Sequence, residues 1–257
     1  MRVALVQFDF SAEEPFTDRI GRISSMAAAQ RGADLVVLPE LWPNGGFTYD
    51  NWQQTAQPID GEVVQAMRDC ARALGCHLHA GSFVERHADG SLTNTSVLLD
   101  GEGSTVAVYR KVHLFGFGEG EPKLMSAGTD VVVAKCEIGN IGLTTCYDLR
   151  FPELYRRLVD NGAELVVVPA AWPEARIDHW SVLARARAIE NQMVVVAVNT
   201  AGTHGGKRMG GRSVVIDARG VVLAEAGTDE QVITAEIDLS AVSSWRHDFP
   251  VLPDRRL

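Results

Sequence analysis

The chain writes one unit twice. The run Gly32-Ala33-Asp34-Leu35-Val36-Val37-Leu38-Pro39-Glu40-Leu41-Trp42 is echoed by Gly162-Ala163-Glu164-Leu165-Val166-Val167-Val168-Pro169-Ala170-Ala171-Trp172. A second echo follows each in the same order, Ser96-Val97-Leu98-Leu99-Asp100-Gly101-Glu102-Gly103 and Ser213-Val214-Val215-Ile216-Asp217-Ala218-Arg219-Gly220. Two copies at so long a period imply two halves of one architecture, not a solenoid. Each half reads strand, helix, buried strand: 3–8, 16–31 and 35–38, then 141–145, 151–161 and 165–168. A helix (61–74; 178–191) and another buried strand (78–83; 193–199) come next. Each half closes with a hairpin across a Gly-containing turn, 100–103 and 217–220. Continuous apolar runs suit strands covered on both faces. The expected fold is α/β with two mixed sheets, packed sheet on sheet with helices outside. No linker or low-complexity stretch divides the chain, so residues 1–257 read as one domain.

With 46% hydrophobic residues in 257, the chain can bury a large core. A net charge of -9 argues against nucleic acid or an anionic membrane as partner, since both demand Lys/Arg clusters. No apolar run approaches the roughly 20 residues that span a bilayer. The N-terminus enters a strand-like run at once, so a cytoplasmic protein is expected. Four cysteines show no Cys-x-x-Cys spacing. Free thiols are then the expectation, with Cys70, Cys76 and Cys136 as small core residues. The last stretch, 245–257, carries two prolines and reads as a turn-rich tail.

The echo is informative where it breaks. Glu40 follows the buried strand of the first half, and Ala170 stands at the matching place in the second. Ligands bind at strand ends in α/β sheets. A carboxylate there suits a general base. Cys146 ends a short apolar run and precedes Pro152, which fits the first turn of a helix. A thiol at such a junction is expected near the positive end of a helix dipole, which lowers its pKa. A free thiol is only a few per cent ionised at pH 7, a handicap of roughly 2 kcal/mol. In the alternating run Val106–Leu114, Tyr109, Lys111 and His113 share one face. Lys111 is either a solvated edge residue or a cation poised for an oxyanion. His113 reads as a structural hydrogen-bonding residue, because no second His lies at metal spacing.

These segments together resemble the nitrilase superfamily, the carbon–nitrogen hydrolases. Leu38-Pro39-Glu40, Tyr109-Arg110-Lys111-Val112-His113-Leu114 and Thr145-Cys146-Tyr147-Asp148-Leu149-Arg150-Phe151-Pro152-Glu153 fall in that family's order and spacing. So do Ala186-Arg187-Ala188-Ile189-Glu190-Asn191 and Gly211-Arg212-Ser213. The resemblance covers essentially the whole chain. It implies a four-layer α-β-β-α sandwich, a Glu40–Lys111–Cys146 triad, no metal or organic cofactor, and a homodimer. It also implies a second glutamate about seven residues before the Gly of a Pro-Gly-Asp type turn. Here that turn reads Ala127-Gly128-Thr129-Asp130, with Ala where Pro is common. Counting back favours Glu121, with Glu119 in the adjoining Gly-rich loop as the alternative.

The implied chemistry is attack of Cys146 on an amide carbonyl, with Lys111 and the Tyr147 N–H on the oxyanion, and a thioester that water hydrolyses. Cys146-Tyr147-Asp148 resembles amidase branches rather than nitrile-hydrolysing members, which commonly show Cys-Trp-Glu. The segment Trp172-Pro173-Glu174-Ala175-Arg176, followed by His179-Trp180, is similar to ω-amidases. Their substrates carry a free carboxylate, which Arg150 or Arg176 could hold, with Arg150 as structural partner of a nearby Glu the alternative. Trp42, Phe47 and Trp172 could wall the pocket or simply pack in the core. N-carbamoyl and nitrile hydrolysis are the rival reactions. A non-catalytic metabolite-binding sandwich would be expected to have lost Glu40, Lys111 or Cys146, and all three are present.

Overall fold

The computed structural model describes residues 1–256. Along the first half run β1 (Arg2–Gln7), β2 (Asp9–Phe10), α1 (Phe16–Ala28), β3 (Leu35–Val37), α2 (Tyr49–Thr55), α3 (Glu62–Leu74), β4 (His77–Arg86), β5 (Leu92–Leu99), β6 (Thr105–Arg110) and the single turn α4 (Glu121–Leu124). The second half follows with β7 (Val133–Cys136), β8 (Gly139–Leu143), α5 (Pro152–Asp160), β9 (Leu165–Pro169), α6 (Ile177–Asn191), β10 (Val194–Val198), β11 (Ala201–His204), β12 (Lys207–Arg208), β13 (Val214–Ile216) and β14 (Val222–Glu225). β15 (Gln231–Glu236) and α7 (Ser240–Asp248) end the chain.

Two six-stranded mixed sheets result, in the orders β15-β1-β3-β4-β5-β6 and β14-β13-β10-β9-β8-β7. In each, three parallel strands lead into an antiparallel hairpin: β1, β3, β4 then β5 and β6; β8, β9, β10 then β13 and β14. The two hairpin turns repeat bond for bond. Asp100 Oδ1 accepts the N–H groups of Glu102 and Ser104, and Asp217 Oδ1 accepts those of Arg219 and Val221. The expected pseudo-repeat is therefore present down to its turns.

Side-chain alternation along each strand sets the layers. Ala4, Val6, Val36 and Leu78 face Ile23, Val64 and Met67 of α1 and α3. Val3, Leu5, Leu35 and Val37 point the other way, into a core shared with Leu143, Val167 and Val196 of the second sheet. Val166, Val168 and Val195 pack on Leu154, Tyr155, Trp180 and Ala184 of α5 and α6. Each such fully buried aliphatic side chain contributes about 1.5–3 kcal/mol. The layers run helix, sheet, sheet, helix.

Three expectations shift. The first helix stops at Ala28, because the chain turns through Gly32 at φ 78° to enter β3. β4 and β5 run past their apolar stretches through Glu85, Thr93, Asn94 and Thr95, all buried. Thr93 and Thr95 donate to Glu85 Oε2, and Asn94 donates to the two glutamates described below, which makes burial of these polar strand residues tolerable. The C-terminal stretch is partly helical. Arg246 of α7 donates to the carbonyls of Gln192 and Ala163, so it packs on its own chain; Leu257 lies outside the described residues.

Candidate active site

Glu40 lies just past β3, where that strand ends against the second half. Its N–H donates to Ala170 O at 3.4 Å, and its Oε2 accepts the Ala171 N–H at 2.8 Å. The two echoed strand ends thus meet at the seam between halves, and the Ala that replaces Glu leaves room for the one carboxylate. Gly81, at a bulge in β4 with φ 62°, lets the backbone approach: a Cβ there would lie 2.1 Å from Pro39 O.

Lys111 follows β6 immediately and is almost fully buried. Its Nζ donates to Glu40 Oε1 at 2.7 Å and to Glu121 Oε1 and Oε2 at 3.0 and 2.8 Å. Burial acts to depress its pKa. The carboxylates of Glu121 and Glu40 outweigh that and hold the ammonium well above its ordinary value. Glu121 opens α4, accepts the Phe115 N–H at 2.5 Å, and has its pKa raised by burial against the pull of Lys111. Glu119 is exposed and paired with Lys123. Asn94 joins the cluster: its Nδ2 donates to Glu40 Oε1 at 2.9 Å and to Glu121 Oε1 at 2.7 Å.

Cys146 begins a 3₁₀ turn, Cys146–Arg150, with φ 48°. A non-glycine residue there carries backbone strain of about 1–3 kcal/mol and needs its surroundings to hold it. Two side chains do so. Asp148 accepts from the Thr145 N–H at 2.8 Å, the Tyr109 hydroxyl at 2.7 Å, the His113 N–H at 3.0 Å, and pairs with His113 Nδ1 at 2.7 Å. It ties the nucleophile turn to the segment bearing Lys111, and His113 is structural, as expected. Arg187 of α6 forks onto Leu149 O at 2.8 and 3.0 Å.

The dipole argument for Cys146 does not hold. α5 starts only at Pro152, and the thiol is buried beside Glu40 and Lys111. Burial, then the Glu40 charge, push its pKa well above the ordinary value, while Lys111 opposes them. The resting group is a neutral thiol with a carboxylate at hand. The Tyr147 N–H, early in the turn, has no acceptor among the described residues.

A narrow cleft reaches this cluster. Phe47, Tyr49, Phe115, Tyr147 and Trp172 line it, with Arg150 and Arg176. Trp42 does not line it; it packs on the α1/α3 side and donates its indole N–H to Ala80 O. Arg150 lies over the Trp172 ring at 4.7 Å and Arg176 over Phe115 at 5.5 Å. Burial, then the neighbouring Arg176 charge, lower the Arg150 pKa. Among the described residues neither guanidinium has a carboxylate partner; Arg150 donates only to His179 Nδ1, at 3.3–3.4 Å. No group of three or more metal-ligating side chains occurs among the described residues. No helix among them is long and apolar enough to cross a membrane.

Sequence reasoning missed Asn94, Asp148 and Arg187. The signal for Asn94 was polar residues, Thr93-Asn94-Thr95, inside an otherwise apolar strand.

The family model for carbon-nitrogen hydrolases matches residues 2–247. This chain belongs to the carbon–nitrogen hydrolase family. It is similar to the 2-oxoglutaramate amidase of Paenarthrobacter nicotinovorans, with 45% identity over 99% of this chain and 89% of that protein. Its fold matches XC1258 of Xanthomonas campestris, a CN-hydrolase superfamily protein with an arsenic adduct in the active site, at TM-score 0.91 and 32% identity, covering 100% and 97% of the two chains. A mutant amidase of Nesterenkonia sp. AN1, carrying the acetamide moiety of fluoroacetamide on its active-site cysteine, matches at TM-score 0.85 and 28% identity, covering 100% and 94%.

Proposed function

We propose that the chain is an ω-amidase-like enzyme, releasing ammonia from a small amide that also carries a carboxylate. The observation that carries this reading is the pair Arg150 and Arg176 lining the cleft that leads to Cys146, with no carboxylate partner among the described residues. Two guanidiniums without a carboxylate partner beside one pocket leave positive charge for a ligand to meet, and their planar forks match a carboxylate. The 2-oxoglutaramate amidase relative supports the same class of substrate.

In this reading Cys146 Sγ attacks the amide carbon as its proton passes to Glu40. The tetrahedral oxyanion meets Lys111 Nζ and the Tyr147 N–H; one such donor is typically worth about 2.7–4 kcal/mol. Glu40 returns the proton to the leaving nitrogen, ammonia departs and a thioester remains. Water, deprotonated by Glu40, hydrolyses it. General acid–base help of this kind contributes about 10²–10⁴-fold. Glu121 holds Lys111 from the far side, and Tyr147, Arg150, Trp172 and Arg176 contact substrate. None of these steps calls for a cofactor or metal.

The same proposal treats residues 1–257 as one domain. β15 supports this by returning from the end of the chain to pair with β1. It places the protein in the cytoplasm, which its four unpaired cysteines support. It also includes the homodimer: Val182 and Ile189 on α6, with Val221 and Leu223 at the nearby hairpin, leave an apolar face exposed.

The test is ammonia release from 2-oxoglutaramate, succinamate, propionamide, an N-carbamoyl amino acid and a nitrile, each with Cys146→Ala as control. Release from the carboxylate-bearing amides, lost in the mutant, is the expected result. Turnover of the carbamoyl compound or the nitrile alone would overturn the substrate assignment.

A further inference from the structure

We propose that Asn94 is a positioning residue that decides which oxygen of Glu40 carries the proton. The inference rests on the amidase reading for its role in turnover, but its geometry stands apart from it. Asn94 is fully buried in β5 and spends both amide hydrogens on carboxylates, one on Glu40 Oε1 and one on Glu121 Oε1. Its own Oδ1 is buried without a partner. An orphaned buried acceptor costs free energy, so the orientation is held by the two glutamates.

The consequence lies in the lone pairs. A carboxylate oxygen accepts about two hydrogen bonds. Glu40 Oε1 already takes Lys111 Nζ at 2.7 Å and Asn94 Nδ2 at 2.9 Å. Oε2 takes only the Ala171 N–H at 2.8 Å, which leaves one site open. The thiol proton therefore goes from Sγ to Oε2 as the S–C bond forms. The Oε2–H bond then breaks as the leaving nitrogen gains its proton and the C–N bond opens. Without Asn94, Oε1 has a free site and the proton rests on either oxygen.

The test uses Asn94→Leu, which removes both donors at similar volume, and Asn94→Ser, which keeps one small donor. Two pH profiles are measured on the full chain: amide turnover, and alkylation of Cys146 by chloroacetamide, which needs no amidase activity. Asn94→Leu should lower kcat about 10- to 100-fold with KM within about threefold, since part of the proton-transfer term is lost. The acid limb of both profiles should move up by about one pH unit, because hydrogen-bond donors favour the charged carboxylate. Asn94→Ser should fall between wild type and Leu, and it decides the matter if the Leu variant does not fold. Unmoved acid limbs in a folded variant would overturn the proposal, whether or not kcat falls. Should the wild type hydrolyse no amide, the alkylation profile alone decides for or against Asn94.

Discussion

Replacing Lys111 with Met asks the most of the buried charge cluster. The wild-type site holds two carboxylates and one ammonium, all almost wholly removed from water, with Nζ 2.7–3.0 Å from three carboxylate oxygens. Lys111→Met keeps the volume and deletes the cation. Removing one partner of a buried ion pair costs about 3–5 kcal/mol, because a buried charge is left uncompensated. For a chain of this size that lowers Tm by roughly 10 °C. The loss should be pH-dependent, since one of the stranded carboxylates takes up a proton. A carboxyl whose folded pKa is raised contributes stability that is fully present below its unfolded value and is lost as pH rises through the folded value. The variant should therefore recover toward wild-type stability on acidification from pH 7.5 to 5.5. Its kcat should fall at least about 10²-fold at every pH, because the oxyanion donor is gone. Differential scanning calorimetry at several pH values, with ammonia release in parallel, measures both. A variant with wild-type Tm at pH 7.5, or with kcat within tenfold of wild type, would refute the account of Lys111 as the counter-charge of the site.

Other consequences are sharper in one readout each. Arg150→Met and Arg176→Met should each raise KM for succinamate about tenfold or more and leave turnover of neutral propionamide within about twofold, since only the first substrate brings a carboxylate; equal effects on both would contradict the anion-binding role. Asp148→Asn should cost about 3 kcal/mol, visible as a lowered denaturation midpoint, because it weakens acceptor bonds to Thr145, Tyr109 and His113 at once; an unchanged midpoint would remove Asp148 as the tie between the two segments. His79 is fully buried beside Val37 and Leu98, neither ring nitrogen has a partner, and burial lowers its pKa to about 3. The unfolded chain binds that proton near pH 6.5 and the folded chain does not, so stability is lost as pH falls below 6.5, by about 2 kcal/mol at pH 5. His79→Leu should flatten this part of the stability profile, and an equally steep profile in the variant would place the acid sensitivity elsewhere.

How much of this was legible beforehand differs by residue. The echo Gly32–Trp42 against Gly162–Trp172 carried the layer order, because buried parallel strands must read as unbroken apolar runs. Its break at Glu40 and Ala170 located the seam where the cleft opens. Glu121 followed from a family spacing, and its contact with Lys111 across an irregular loop is one that no helical or strand periodicity contains. The thiol environment was misread for a related reason: Pro152 marked a helix start correctly, but five residues lie between it and Cys146 and the turn there is 3₁₀. Burial, then the charge of Glu40, a side chain distant in sequence, raised the thiol pKa against the opposing pull of Lys111 and reversed the direction expected from a dipole. Asn94 stayed invisible because hydrophobic periodicity scores a polar residue in a strand as an interruption. In the folded chain it is buried and paired.

The central claim is a covalent one, that Cys146 takes the acyl group of a carboxylate-bearing amide with Glu40 as its proton carrier. The most direct measurement is acid-quenched intact mass spectrometry with peptide mapping, on enzyme mixed with succinamate. Glu40→Gln should be run beside the wild type. The account predicts a succinyl thioester on the peptide containing Cys146 in the wild type and at most slow labelling in Glu40→Gln. Ammonia release without any acyl group on Cys146, or undiminished acylation in the glutamine variant, would contradict it.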